Sequence, residues 1–282
     1  MSQLRSFIVA TLVLTASAFA AEPSRDFTYK KTPEAELKLF VSYPPGWKAT
    51  DKRPGIVFFF GGGWTSGDVK QFAMQAEYLA SRGMVAVRAD YRVKSRHKVD
   101  PDKCVSDAKS AVRWVRQHAS ELGIDPNKIV ASGVSAGGHL AACTALTDGL
   151  DEPAEDAKIS SKPNALVLFN PVLNFTSADN LMQRLNNNEK LSRQISPTLH
   201  LKKDSPPTLI LFGTADRLMA QGDEFVKKAK ELGHRAEMYT AADQPHGFFN
   251  RSPWRERTIS RMDVFLASLD YLQGKPTIRE LE

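Results

Sequence analysis

The chain has 282 residues, is 42% hydrophobic and 25% charged, and contains 17 Gly, 16 Pro and 2 Cys. That balance excludes a collagen-like, low-complexity or disordered chain, and two cysteines exclude a small disulfide scaffold or a Cys-rich zinc module. Lys and Arg number 38 against 32 Asp and Glu, and the resulting +6 is spread along the chain without a basic cluster. A nucleic-acid partner is therefore not expected.

Residues 1–20 have the three parts of a secretory signal. Arg5 is the positive start, residues 7–14 the apolar centre, and Ala18-Phe19-Ala20 offers small residues at a cleavage site. The apolar stretch falls short of the roughly 20 residues a bilayer span needs. We expect cleavage after Ala20, a secreted or periplasmic location without a stable membrane anchor, and a single domain over 21–282. Export permits a disulfide, but Cys104 and Cys143 each sit on an apolar helical face, which predicts two unpaired core thiols.

In chain order, residues 37–43 alternate partly and stop at Pro44-Pro45-Gly46, which predicts an early strand and turn. Residues 55–60 are a continuous apolar run closed by three glycines, and 84–89 and 128–133 repeat the pattern. Runs without a polar side predict strands buried on both faces, as in a parallel sheet. Residues 164–170, 208–213 and 236–240 add three more strands. Between them, Cys104, Ala108, Ala111, Val112, Val115 and Ala119 form one helical stripe. Phe225, Val226, Ala229 and Leu232 form another that stops at Gly233, and Ile259, Met262, Leu266 and Leu269 mark a last helix. The alternation predicts an α/β fold, mostly parallel, with helices on both faces. Residues 171–207 break the rhythm and read as a lid or substrate-binding insertion before the next strand, with a loosely helical surface insertion without function as the alternative.

The chemistry gathers at strand ends. Gly133-Val134-Ser135-Ala136-Gly137 follows a predicted strand and precedes a helix. A tight strand-to-helix turn of this kind exposes a nucleophilic hydroxyl, and needs glycines at ±2 because Cβ atoms there would collide. A serine needs a base oriented by a carboxylate. His246, in a loop after a late strand, follows Ser135 in the expected order, whereas His97, His118 and His139 do not fit it, and His200 and His234 lack such a loop. Asp216 follows the strand 208–213 and is preferred to Asp243 as the acid on that position. Gly61-Gly62-Gly63-Trp64 closes an earlier buried strand and can offer backbone amides to an oxyanion, together with the amide of Ala136.

These residues, with Asp90-Tyr91-Arg92, Gly138-His139-Leu140-Ala141 and Pro245-His246-Gly247-Phe248, resemble the esterase/lipase branch of the α/β-hydrolase superfamily over roughly 27–272. The resemblance implies Ser135 as nucleophile, Asp216 as acid, His246 as base, and Gly62, Gly63 and Ala136 as oxyanion donors. It implies no cofactor, and no His/Cys/Asp cluster has the spacing of metal ligands. Phe60 stands where the branch usually has a histidine before the glycines. Export and the Gly-Gly-Gly-Trp loop are most similar to bacterial carbohydrate esterases, which implies acetyl or feruloyl esters on polysaccharides or small molecules. Trp64, Phe248 and Trp254 are candidates for stacking on such a substrate, with core packing as the alternative. Arg92 reads as a structural ion-pair partner. A serine peptidase or an arylformamidase on this fold, and a hydrolase-fold binding protein without activity, are the alternatives.

Overall fold

The computed structural model describes residues 25–280, so the signal segment predicted over 1–20 lies outside the described residues. The strands are β1 (Arg25–Lys31), β2 (Glu36–Ser42), β3 (Arg53–Phe59), β4 (Val85–Ala89), β5 (Ile124–Val134), β6 (Ala165–Phe169), β7 (Thr208–Gly213) and β8 (Ala236–Ala241). They form one eight-stranded sheet in the order β1-β2-β4-β3-β5-β6-β7-β8. Strand β2 runs antiparallel to both β1 and β4, and the remaining pairs are parallel. Each predicted strand is present. The long helices are α1 (Ala73–Ser81), α2 (Pro101–Gln117), α3 (Ala136–Leu146), α4 (Met219–Leu232) and α5 (Trp254–Ala267).

The uninterrupted apolar runs are explained by the strand period of two, which sends alternate side chains to opposite faces. Val57, Phe59, Val87, Leu168 and Ile210 share one core with apolar residues of α2, α3 and α4. Their neighbours Ile56, Phe58, Val167, Leu209 and Leu211 share a second core with α1 and α5. Each such side chain, fully buried, contributes about 1.5–3 kcal/mol by leaving water. A sheet covered on both sides directs its chemistry to the carboxyl ends of the strands.

Strand β1 and helix α1 are not evident in the sequence pattern. The β1 residues include Arg25, Asp26, Lys30 and Lys31 and look exposed, yet Lys30 is buried in an ion-pair cluster, 2.9 Å from Asp107 and 2.9 Å from Glu152. Helix α1 buries Gln75, Ala76, Leu79 and Ala80, a face too small and too polar to mark a stripe. Cys104 and Cys143 are buried and free, as expected. Burial pushes both thiols well above the usual thiol range. Among the described residues no helix is long and apolar enough to cross a membrane.

Candidate active site

Strand β5 ends in the sharp turn that the glycine spacing predicts. Ser135 sits there with φ 53° and ψ −116°, a conformation a side chain rarely adopts, and α3 begins at the next residue. Three backbone bonds hold it. Its amide donates to the Phe169 carbonyl at 2.9 Å, and its carbonyl accepts from His139 at 2.9 Å and from Val172 at 3.4 Å. The flanking glycines are obligatory: a Cβ on Gly133 would lie 2.3 Å from the Gly137 oxygen, and one on Gly137 2.1 Å from the Phe59 oxygen.

Asp216 leaves the end of β7 and His246 the loop after β8, and the fold brings them together. His246 Nδ1 lies 2.7 Å from Asp216 Oδ2, with the carboxylate side chain fully buried and the imidazole 41% exposed. This contact leaves Nε2 as the ring nitrogen not engaged by Asp216. Burial pushes the Asp216 carboxyl up, but hydrogen bonds from His246, the Leu218 amide and Asn170 outweigh it and hold the group below its usual range. Asn170 is a residue that sequence reasoning missed. Its Nδ2 donates to the same Asp216 Oδ2 at 2.8 Å, while its own Oδ1 is buried without a partner. Its φ of 44° at the end of β6 is what aims it there. Asp243, the alternative acid, lies in an exposed turn where its amide donates to Thr214 Oγ1.

The glycine loop after β3 is tied down on both sides. The Gly61 amide donates to Gln71 Oε1 at 2.8 Å, and the amides of Thr65 and Ser66 return to the Gly62 oxygen at 3.1 Å each. The amides of Gly62 and Gly63 stand outside these bonds. The Ala136 amide, in the first turn of α3, has no intrahelical acceptor. Phe60 is fixed differently from a histidine: its ring stacks on Tyr91 with centroids 4.1 Å apart, and Tyr91 Oη donates to its carbonyl at 2.7 Å. An aromatic stack thus orders the start of the loop.

Ser135, His246 and Gly63 line one cavity of about 640 Å³. The insertion 171–207 folds into short helical turns and supplies one wall of it, with Val172, Ser177, Ala178, Asn180, Leu181 and Arg184. Arg217, Leu218, Gln221 and Glu224 supply the opposite side. The three candidate aromatics part company here. Trp64 reaches the cavity but is only 3% exposed, packed on Phe175 and donating from Nε1 to His139 Nδ1 at 3.2 Å. Phe248 and Trp254 pack edge to face on each other at 5.7 Å, away from the cavity lining. Substrate stacking on Phe248 and Trp254 is therefore corrected to packing between the His246 loop and α5. Arg92 is structural, with a two-point bond to Asp107.

A parallel sheet carrying a serine on a strand-to-helix turn, with an acid and a histidine from the next strand ends, defines the esterase/lipase class of α/β-hydrolases. The chain belongs to the BD-FAE family, whose model matches residues 42–228. Its fold is similar to that of esterase 2 of Thermogutta terrifontis, at 46% identity and a TM-score of 0.85, covering 89% of this chain and 97% of that one. The same esterase has been solved with propionate bound (46% identity, TM-score 0.84, covering 89% and 96%) and phosphorylated by paraoxon. Among curated relatives, "Probable carboxylic ester hydrolase LipM" of Mycobacterium tuberculosis is 30% identical over 69% of this chain and 49% of its own length. The chain spans about half the length of the curated relatives it matches.

Proposed function

We propose that the protein is an exported serine carboxylesterase that hydrolyses esters of short-chain acids through an acyl-enzyme on Ser135. The observation that carries this reading is the strained Ser135 turn facing one cavity with a His246 held at 2.7 Å by a buried carboxylate. In the first step His246 Nε2 takes the Ser135 proton as Oγ bonds to the ester carbonyl carbon. The resulting oxyanion is met by the amides of Ala136, Gly63 and Gly62, each donor worth about 3–4 kcal/mol of barrier. The C–O bond to the alcohol then breaks, and the alkoxide leaves with the proton that His246 holds. Water repeats the sequence on the acyl-enzyme, restoring Ser135 and releasing the acid. Asp216 stays ionised throughout and stabilises the imidazolium.

The choice of short acyl groups is supported by the esterase of Thermogutta terrifontis, which has been solved with propionate and with butyrate bound. Polysaccharide-linked acetyl or feruloyl esters are the natural substrates this reading extends to, since export places the enzyme with extracellular polymers. Initial rates on 4-nitrophenyl esters from acetate to decanoate, beside a Ser135→Ala blank, test the proposal. Rates highest at acetate to butyrate and lost in the blank support it, and acetylated and feruloylated xylans are then compared. Rates equal to the blank across the series overturn it.

A further inference from the structure

We infer that Arg184 is a positioning residue for the oxyanion loop, strapping the insertion 171–207 onto the backbone that carries the Gly62 and Gly63 amides. The inference rests on the esterase reading for its kinetic consequence but on geometry for its existence. Arg184 reaches across 121 positions of sequence, and its Nη1 donates to the Gly63 carbonyl at 2.9 Å and contacts Thr65 Oγ1 at 3.4 Å. The guanidinium lies against the α-carbon side of Gly63, where a built Cβ would meet Nη2 at 3.5 Å, and its Cζ sits 5.6 Å from the centre of the Trp64 ring.

The loop needs such an anchor. Upstream of the donor amides, Gln71 and Tyr91 fix Gly61 and Phe60. Downstream, Gly63 and Trp64 both have positive φ, 62° and 58°, and a non-glycine residue in that region tends to revert unless held. Arg184 supplies a charge-assisted bond at that point, stronger than a neutral one. A second leg runs beside it: Trp64 Nε1 donates to His139 Nδ1, and His139 Nε2 donates to the Ile195 carbonyl at 2.7 Å, again in the insertion. The Phe60 position, which lacks the imidazole usual before the glycines, orders only the upstream end. The amides of Lys94 and Ser95 hold the carbonyls of Trp64 and Thr65 at 2.9 and 3.0 Å, and the insertion adds the tie at Gly63 itself, next to the donor amides.

The test compares wild type, Arg184→Met and Arg184→Lys by amide hydrogen exchange over residues 60–67, beside kcat and KM for a 4-nitrophenyl ester. Loss of a hydrogen bond to a charged donor predicts exchange about tenfold faster in this stretch for Arg184→Met, with β5 unchanged. The same variant should lose about tenfold in kcat with KM within twofold, and Arg184→Lys should recover part of both. Unchanged exchange over 60–67 overturns the strap. A rise in KM at constant kcat also overturns it, because Arg184 would then be a substrate contact. Absence of turnover in wild type would overturn the esterase reading alone, and the exchange comparison would still decide the strap.

Discussion

Asp216 Oδ2 accepts from two donors at once, His246 Nδ1 at 2.7 Å and Asn170 Nδ2 at 2.8 Å. The second donor withdraws charge from the oxygen that faces the imidazole and fixes the plane of the carboxylate. Asn170→Ala is therefore expected to lower kcat/KM about tenfold, the cost of one hydrogen bond to a charged group. Initial rates on one 4-nitrophenyl ester for both proteins check this, and an unchanged kcat/KM would reduce Asn170 to packing. Gly62 offers a sharper case. A Cβ there would lie 2.1 Å from the Ser66 oxygen, and φ is 123°, so Gly62→Ala must displace the loop. We expect kcat to fall by about 10²–10³ while stability changes little, read by kinetics beside urea denaturation.

At the scale of elements, the insertion, the glycine loop and α3 meet at His139. Burial depresses its pKa from the ordinary 6.5 to about 4, and it is fully inaccessible. The neutral ring accepts from Trp64 and donates to Ile195, roles that a protonated ring cannot fill together. As pH falls below 6.5 the unfolded chain binds the proton first, so stability from the neutral ring is present above 6.5 and is lost between 6.5 and 4. A His139→Phe variant lacks this term. The stability gap between wild type and that variant should narrow by about 3 kcal/mol from pH 7 to pH 4, measured by urea denaturation. A constant gap would show that the ring is not held neutral. The insertion is docked from below as well, where Gln221 Oε1 on α4 accepts from the amides of Leu173 and Asn174 at 2.7 and 3.0 Å.

Across the whole molecule, a buried ion cluster fastens the antiparallel edge to the parallel body. Asp107 on α2, with no exposed side-chain surface, meets Lys30 of β1 at 2.9 Å and Arg92 after β4 at 2.8 Å. Asp107→Ala would remove the buried carboxylate they share and leave Lys30 only Glu152 and Arg92 only Glu34, both partly exposed, and should cost about 3 kcal/mol in denaturant with kcat/KM of the folded protein nearly unchanged. The same cluster shows why part of the fold was illegible. Apolar runs announced the inner strands and glycine spacing announced the Ser135 turn, because those demands are local. Strand β1 was hidden because Lys30 finds its carboxylates 77 and 122 positions away, a pairing that periodicity cannot carry. Asn170 and Arg184 were hidden for the same reason: each acts on a group brought near only by the sheet order. Phe248 and Trp254 show the same limit, because nearness to His246 in sequence does not decide which way a ring packs.

In the proposed mechanism Ser135 is a nucleophile activated by His246 and Asp216. Intact-mass analysis after incubation with paraoxon, followed by peptide mapping, tests it without assuming a substrate. We expect one diethylphosphoryl group per chain, located on Ser135, with its formation slowed by orders of magnitude in His246→Ala. No adduct, or an adduct elsewhere that forms equally in Ser135→Ala, would contradict it.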